Sequence, residues 1–133
     1  MARILIVDDE PDILIILERM LRRMNHEIVA AANGKEAVRL LEGSSFDLVI
    51  TDLIMPESEG IETIGAIRKR WPGMKIIAMS GGGRQSPVAY LAVAASLGAD
   101  ATLAKPFDRA DLSDALRHVL GPEDPTSSPA SRS

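Results

Sequence analysis

The sequence predicts an α/β domain of the doubly wound (βα)5 kind, a five-stranded parallel sheet in order 2-1-3-4-5 with helices on both faces. Two observations point there. Short aliphatic runs alternate with longer segments of helical period along the 133 residues. The first, third and fourth of those runs are nearly unbroken apolar stretches, as expected of strands covered on both faces. Five such strand–helix units close most simply with right-handed crossovers into one sheet.

Taken in order, the strand expectations are Arg3–Val7, Glu27–Ala31, 47–51, 75–79 and Ala101–Ala104. The helical segments are 11–24, 34–41, 61–71, 87–97 and Arg109–Leu120. Leu14, Leu17 and Leu21 recur at helical spacing, as do Ile61, Ile64 and Ile67, then Leu112, Leu116 and Val119. Pro11 suits the first turn of a helix, and Gly98 suits the position just past a helix end. The end of the chain, "GPEDPTSSPASRS" (121–133), has three prolines and no large apolar residue. It is expected to be a disordered tail after a domain over 1–120.

Bulk composition narrows the function classes. With 46% hydrophobic residues, the chain fits one domain with one well-filled core. A net charge of −4 does not suggest a nucleic-acid surface. There is no cysteine, which excludes disulfides and thiolate metal sites and fits a cytoplasmic location. The start "MARILIVDDEPD" reaches acids too soon for a signal peptide, and no apolar run approaches the length of a membrane span.

In an open parallel sheet, ligands bind beyond the carboxyl ends of the strands, near the point where strand order reverses. The polar residues expected there are Asp8 and Asp9 after the first strand, Asp52 after the third, Ser80 after the fourth and Lys105 after the fifth. Crowded carboxylates repel unless a cation neutralises them. Oxygen ligands with no Cys or His among them favour Mg²⁺ or a similar divalent ion. Lys105 offers a charge for an anion, and Ser80 a small hydroxyl donor. This set suits phosphoryl transfer, with Asp52 as the nucleophile that forms an acyl phosphate. Taken singly, each residue has a plainer role: Asp8 and Asp9 as acids at a helix start, Ser80 before glycines as a turn residue, Lys105 as a solvated lysine. Their occurrence together at strand ends favours the site. His26 and His118 fall outside the cluster and are expected at the surface, and the methionines are explained by core packing.

At these residues the sequence resembles the receiver domain of two-component response regulators. The stretches that carry the resemblance are "ILIVDDEP" (4–11), "DLVITDLIMPESEG" (47–60), "IIAMSG" (76–81) and "LGADATLAKPF" (97–107), and it spans about residues 2–120. It implies a flavodoxin-like fold and a cytoplasmic regulatory phosphoacceptor rather than an enzyme. Asp52 would accept a phosphoryl group from a histidine kinase or a histidine phosphotransfer protein. Asp9, Asp52 and the backbone carbonyl of Ile54 would bind Mg²⁺, with Asp8 acting partly through its water. Lys105 would pair with the phosphoryl group and Ser80 would move to hydrogen-bond it. The bond before Pro106 would be cis. A downstream protein, met by 87–97, Ala101–Ala104 and Arg109–Leu120, would read the change, and a homodimer on phosphorylation is a further expectation; neither nucleic acid nor membrane is expected as a partner.

Two departures from the family pattern stand out. Thr102 occupies a position three residues before Lys105 where many receivers carry Tyr or Phe. The stretch "SGGGRQSPVAY" (80–90) is long and glycine-rich, so the signal is expected to pass through Ser80 and residues 81–83. Ile54 and Gly82 offer no acid or amide to position a hydrolytic water. An aspartyl-phosphate hydrolase is the competing enzyme class, and Ile54, where such enzymes place a second acid, counts against it. "SGGGR" lacks the spacing of a nucleotide-binding P-loop. A short stand-alone receiver is expected, with a fragment of a larger regulator or hybrid kinase as the alternative.

Overall fold

A computed structural model describes residues 2–53, 59–80 and 98–121. Its elements are β1 (Arg3–Val7), α1 (Pro11–Arg23), β2 (Glu27–Ala31), α2 (Gly34–Gly43), β3 (Leu48–Asp52), α3 (Glu59–Arg70), β4 (Lys75–Ser80), β5 (Ala101–Ala104) and α4 (Arg109–Leu120). All strand pairs are parallel, in order β2-β1-β3-β4-β5. The expected doubly wound fold is therefore the observed one. The helix expected over 87–97, the glycine stretch 81–83 and, of the tail, residues 122–133 lie outside the described residues.

Side-chain alternation along the strands builds two cores. Ile4 and Ile6 of β1, Leu48 and Ile50 of β3, and Ile77 and Met79 of β4 pack with Leu17 and Leu21 of α1 and with Leu112, Leu116 and Val119 of α4. The intervening Leu5, Val7, Val49, Ile76 and Ala78 face Ala37 and Leu41 of α2 and Ile64 and Ile67 of α3. Because both faces are covered, β1, β3 and β4 read as continuous apolar runs. Each fully buried aliphatic side chain contributes about 1.5–3 kcal/mol relative to exposure.

Local signals fix the helix ends. Pro11 sits in the first turn of α1, where its missing N–H costs nothing, and Asn25 leaves the helix with φ +68°, a conformation Asn tolerates. In α2, Asn33 Oδ1 accepts from Glu36 N at 2.8 Å while Glu36 Oε1 accepts from Ala32 N at 2.7 Å. Asp108 and Asp111 form a reciprocal capping box at the start of α4.

Three strand boundaries fall one residue later than the sequence suggests, the start and end of β3 and the end of β4, and the two ends matter for the site. Asp47 stands just before β3, its carboxylate accepting from Arg3 N at 2.8 Å, so β3 runs on to include Asp52. β4 includes Ser80 because Lys105 N donates to Ser80 O at 2.8 Å, which prolongs the pairing with β5. His26 also departs from expectation. It is half-buried, and its Nδ1 accepts from Ala2 N at 3.0 Å. No helix among the described residues is long and apolar enough to cross a membrane.

Candidate functional site

The chain runs outward from β1 to β2 on one side and returns to β3 on the other, so strand order reverses between β1 and β3. A cleft beyond the carboxyl ends of these strands is the favoured ligand position in such sheets. Register brings the candidate residues together there. Val7 pairs with Thr51, Asp52 with Met79, and Ser80 with Ala104. Backbone bonds continue the ladder past the strands: Asp8 N donates to Ala31 O at 3.2 Å and Leu53 N to Met79 O at 2.8 Å. The site residues thus hang from a hydrogen-bonded frame.

Lys105 is the centre of the cluster. Its ammonium donates to Asp8 Oδ2 at 2.8 Å and lies 3.5 Å from both Asp52 Oδ2 and Glu10 Oε1. Asp8 is fully buried and Asp52 is only 2% exposed. Unpaired carboxylates at that depth would cost several kcal/mol each, on the order of the buried-ion penalty. Burial on its own would depress the Lys105 pKa. The hydrogen bond to Asp8 and the charge of Asp52 outweigh it, and the net shift is upward from 10.5. The residue before Pro106 is joined to it by a cis peptide bond, as expected.

Asp8 holds two partners at once, accepting from Glu10 N at 2.9 Å through Oδ1 and from Lys105 through Oδ2. Asp9, by contrast, is exposed. Desolvation, followed by the charge of Asp8, raises its pKa above 3.8. Ser80 is fully buried, and its Oγ has no hydrogen-bond partner among the described residues. An unsatisfied buried hydroxyl costs about 1–3 kcal/mol, so a ligand oxygen that accepted from it would recover that loss.

Carboxylate oxygens of Asp8, Glu10 and Asp52 lie within 4.8 Å of one another. They are hard donors, with no sulfur or imidazole in the group, and fit a divalent cation such as Mg²⁺. The sequence pointed to Asp9 rather than Glu10 as a member. Asp9 is not in the group formed among the described residues, while Glu10, unread in the sequence, is. Its position beside two aspartates before Pro11 was the available signal, but a helix-start acid is the ordinary explanation of such a residue. Ile54, whose carbonyl the resemblance implicates, lies outside the described residues.

Fold and site together define a doubly wound α/β domain with an acidic, lysine-bridged cleft at its switch point. The response regulator receiver domain family matches residues 4–117, and the chain belongs to it: this is a receiver domain of a two-component response regulator. The DNA-binding transcriptional regulator NtrC of Azospirillum brasilense is 34% identical over 124 residues, covering 93% of this chain and 25% of that protein. The transcriptional regulatory protein CpxR of Escherichia coli is 32% identical over 120 residues, covering 90% of this chain and 50% of that protein. The chain therefore spans a quarter to a half of the length of these curated relatives. Among solved structures, a response regulator receiver domain protein from Clostridium thermocellum superposes with a TM-score of 0.81 at 32% identity, covering 90% of this chain and 94% of that one. The response regulator TrrA of Thermotoga maritima, solved in complex with Mg²⁺-BeF, gives 0.79 at 36% identity over 90% of this chain and all of that one.

Proposed function

We propose that this receiver, over residues 1–120, accepts a phosphoryl group on Asp52 from a phosphohistidine of a kinase or phosphotransfer protein, and that the modification changes which protein it binds. The single observation that carries the reading is the convergence of Asp8, Asp52 and Lys105 beside a buried Ser80 hydroxyl that has no partner among the described residues. A carboxylate oxygen of Asp52 attacks phosphorus. The bond from phosphorus to the donor's imidazole nitrogen breaks, and its electron pair leaves with the imidazole. Lys105, already 3.5 Å from Asp52, balances charge on the transferred group. Ser80 donates its unspent O–H to a phosphoryl oxygen. Asp8, with Asp9, Asp52 and the carbonyl of residue 54, would hold Mg²⁺. The ion supplies charge neutralisation for the phosphoryl oxygens when bound. TrrA, solved with Mg²⁺-BeF, supports that assignment by likeness. The chain in this reading is a regulatory phosphoacceptor, and its partners are the phosphodonor and a downstream protein.

The test is intact-protein mass after incubation with MgCl₂ and a small acyl phosphate donor. Wild type should gain one phosphoryl group, and Asp52→Asn should gain none. Chelation of the divalent ion should abolish the gain. Modification that persists in Asp52→Asn would refute the assignment.

A further inference from the structure

We propose that the free edge of β5 takes up a short extended segment of a partner protein as an added strand, and that this segment carries a lysine or arginine. This rests on the proposed function only for there being a downstream protein, and it concerns how that protein is held. β5 is the last strand of the sheet, so one side of its backbone has no neighbour in the ladder. Lys105 N donates inward to Ser80 O at 2.8 Å. Backbone groups alternate sides along a strand, so the amides and carbonyls of Thr102 and Ala104 turn to the open edge. Outside the ladder, no backbone hydrogen bond among the described residues uses either residue. Unspent main-chain groups of this kind are what strand addition uses. Sheet edges are ordinarily defended by charge or proline. The opposite edge strand, β2, has Glu27, ion-paired with Arg3 at 3.2 Å. β5 reads ATLA and has neither.

The surroundings give this edge a shape and a sign. A groove of about 530 Å³ lies between β5 and α4. Its walls are small side chains, Ala101, Thr102 and Ala104 from the strand and Ala115 from the helix, which lets a second backbone approach closely. Its acids are Asp111 and Asp114, and no lysine or arginine lines it. Asp111 Oδ2 accepts from Asp108 N at 3.0 Å and Asp114 Oδ1 from Arg117 at 2.9 Å. A carboxylate accepts more than one bond, so both can also meet a partner's cation. Charge selects among occupants. A second copy set edge to edge would bring the same two acids against themselves. The chain's own residues 122–125, PEDP, offer two acids and two prolines, and proline suits an added strand poorly. A basic segment of another protein is the occupant that fits.

Two pools of acetylated, amidated pentapeptides test this, each with Val, Ile, Thr or Tyr at the flanking positions and either Arg or Glu at the centre. They are titrated into ¹⁵N-labelled, unphosphorylated protein, so the outcome is separate from phosphoryl acceptance at Asp52. The Arg pool should shift the amide resonances of Thr102 and Ala104 saturably and bind roughly fivefold tighter than the Glu pool, the scale of exposed charge pairs. N-methylation of the Arg pool, which removes its backbone donors, should abolish the shifts. Asp114→Asn should weaken the Arg pool roughly twofold and leave the Glu pool no weaker. No saturable shift at residues 101–104 with the Arg pool, or binding that survives N-methylation, would overturn strand addition. Equal binding of the two pools would overturn the basic partner.

Discussion

The two ends of the sheet use the same residue types and leave them in opposite states. At the amino end, Arg68 of α3 donates to the carbonyls of Pro72, Met74 and Gly98 at 2.6, 2.7 and 2.6 Å and to Asp100 Oδ2 at 3.0 Å. Asp100 in turn accepts from Ile76 N at 2.8 Å. One cation meets one acid, and the spare donors close on backbone carbonyls. At the carboxyl end a single lysine faces Asp8, Glu10 and Asp52, and the neighbouring Ser80 hydroxyl has no partner among the described residues. The first arrangement is complete as it stands and serves stability. The second gathers three carboxylates around one ammonium, beside a buried hydroxyl without a partner among the described residues.

Removing each end's cation should separate the two most clearly. Lys105→Met, without divalent ions at neutral pH, should lower unfolding free energy by about 3 kcal/mol, because two buried carboxylates lose their counter-charge. Urea denaturation measures the loss, and MgCl₂ should restore most of it. A deficit that the ion leaves untouched would mean that Lys105 is structural in the way Arg68 is. The pH dependence has a defined sign. The folded pKa of Lys105 lies above its ordinary 10.5, so its contribution is fully present below 10.5 and is lost as pH rises through the folded value. The difference between wild type and Lys105→Met should therefore hold steady from about pH 7 to about pH 9 and shrink only in stronger alkali.

At the other end, Arg68→Ala should cost about 2 kcal/mol, since it strands a carboxylate and several carbonyls in a partly buried setting. Added MgCl₂ should not repair it, and the affinity for the ion should be unchanged. Repair by the ion would erase the distinction between the two ends.

The smallest effect is expected at Ser80. Ser80→Ala removes a hydroxyl whose burial is uncompensated, so stability should stay level or rise by up to about 1 kcal/mol in the same urea assay. A clear loss would show that the hydroxyl is already satisfied in the resting protein.

What the sequence disclosed and what it hid follow the same division. Strands β1, β3 and β4 were legible because burial on both faces leaves an unbroken apolar run. Asp8, Asp52, Ser80 and Lys105 were legible because strand ends in a parallel sheet share one edge, so four positions scattered along the chain reduce to one place. Glu10 was not, because an acid at a helix start has a sufficient local explanation and only the approach of Lys105 distinguishes it. Arg68 was equally silent, since its partners at Gly98 and Asp100 lie about thirty residues on and no periodicity announces them. His26 was misread as a surface residue for a related reason. The pairing of Arg3 with Glu27 brings the start of β1 to the imidazole, a contact invisible in local composition.

Asp8 grips two things at once, the ammonium of Lys105 with one oxygen and the amide of Glu10 with the other. It is both an electrode and a hinge pin. A substitution there changes the charge of the cleft and at the same time unties the first turn of α1, so its phenotype is a mixture of two causes. Asp52 is held differently: it ends a strand whose backbone is pinned by Met79, and its carboxylate lies 3.5 Å from the same ammonium.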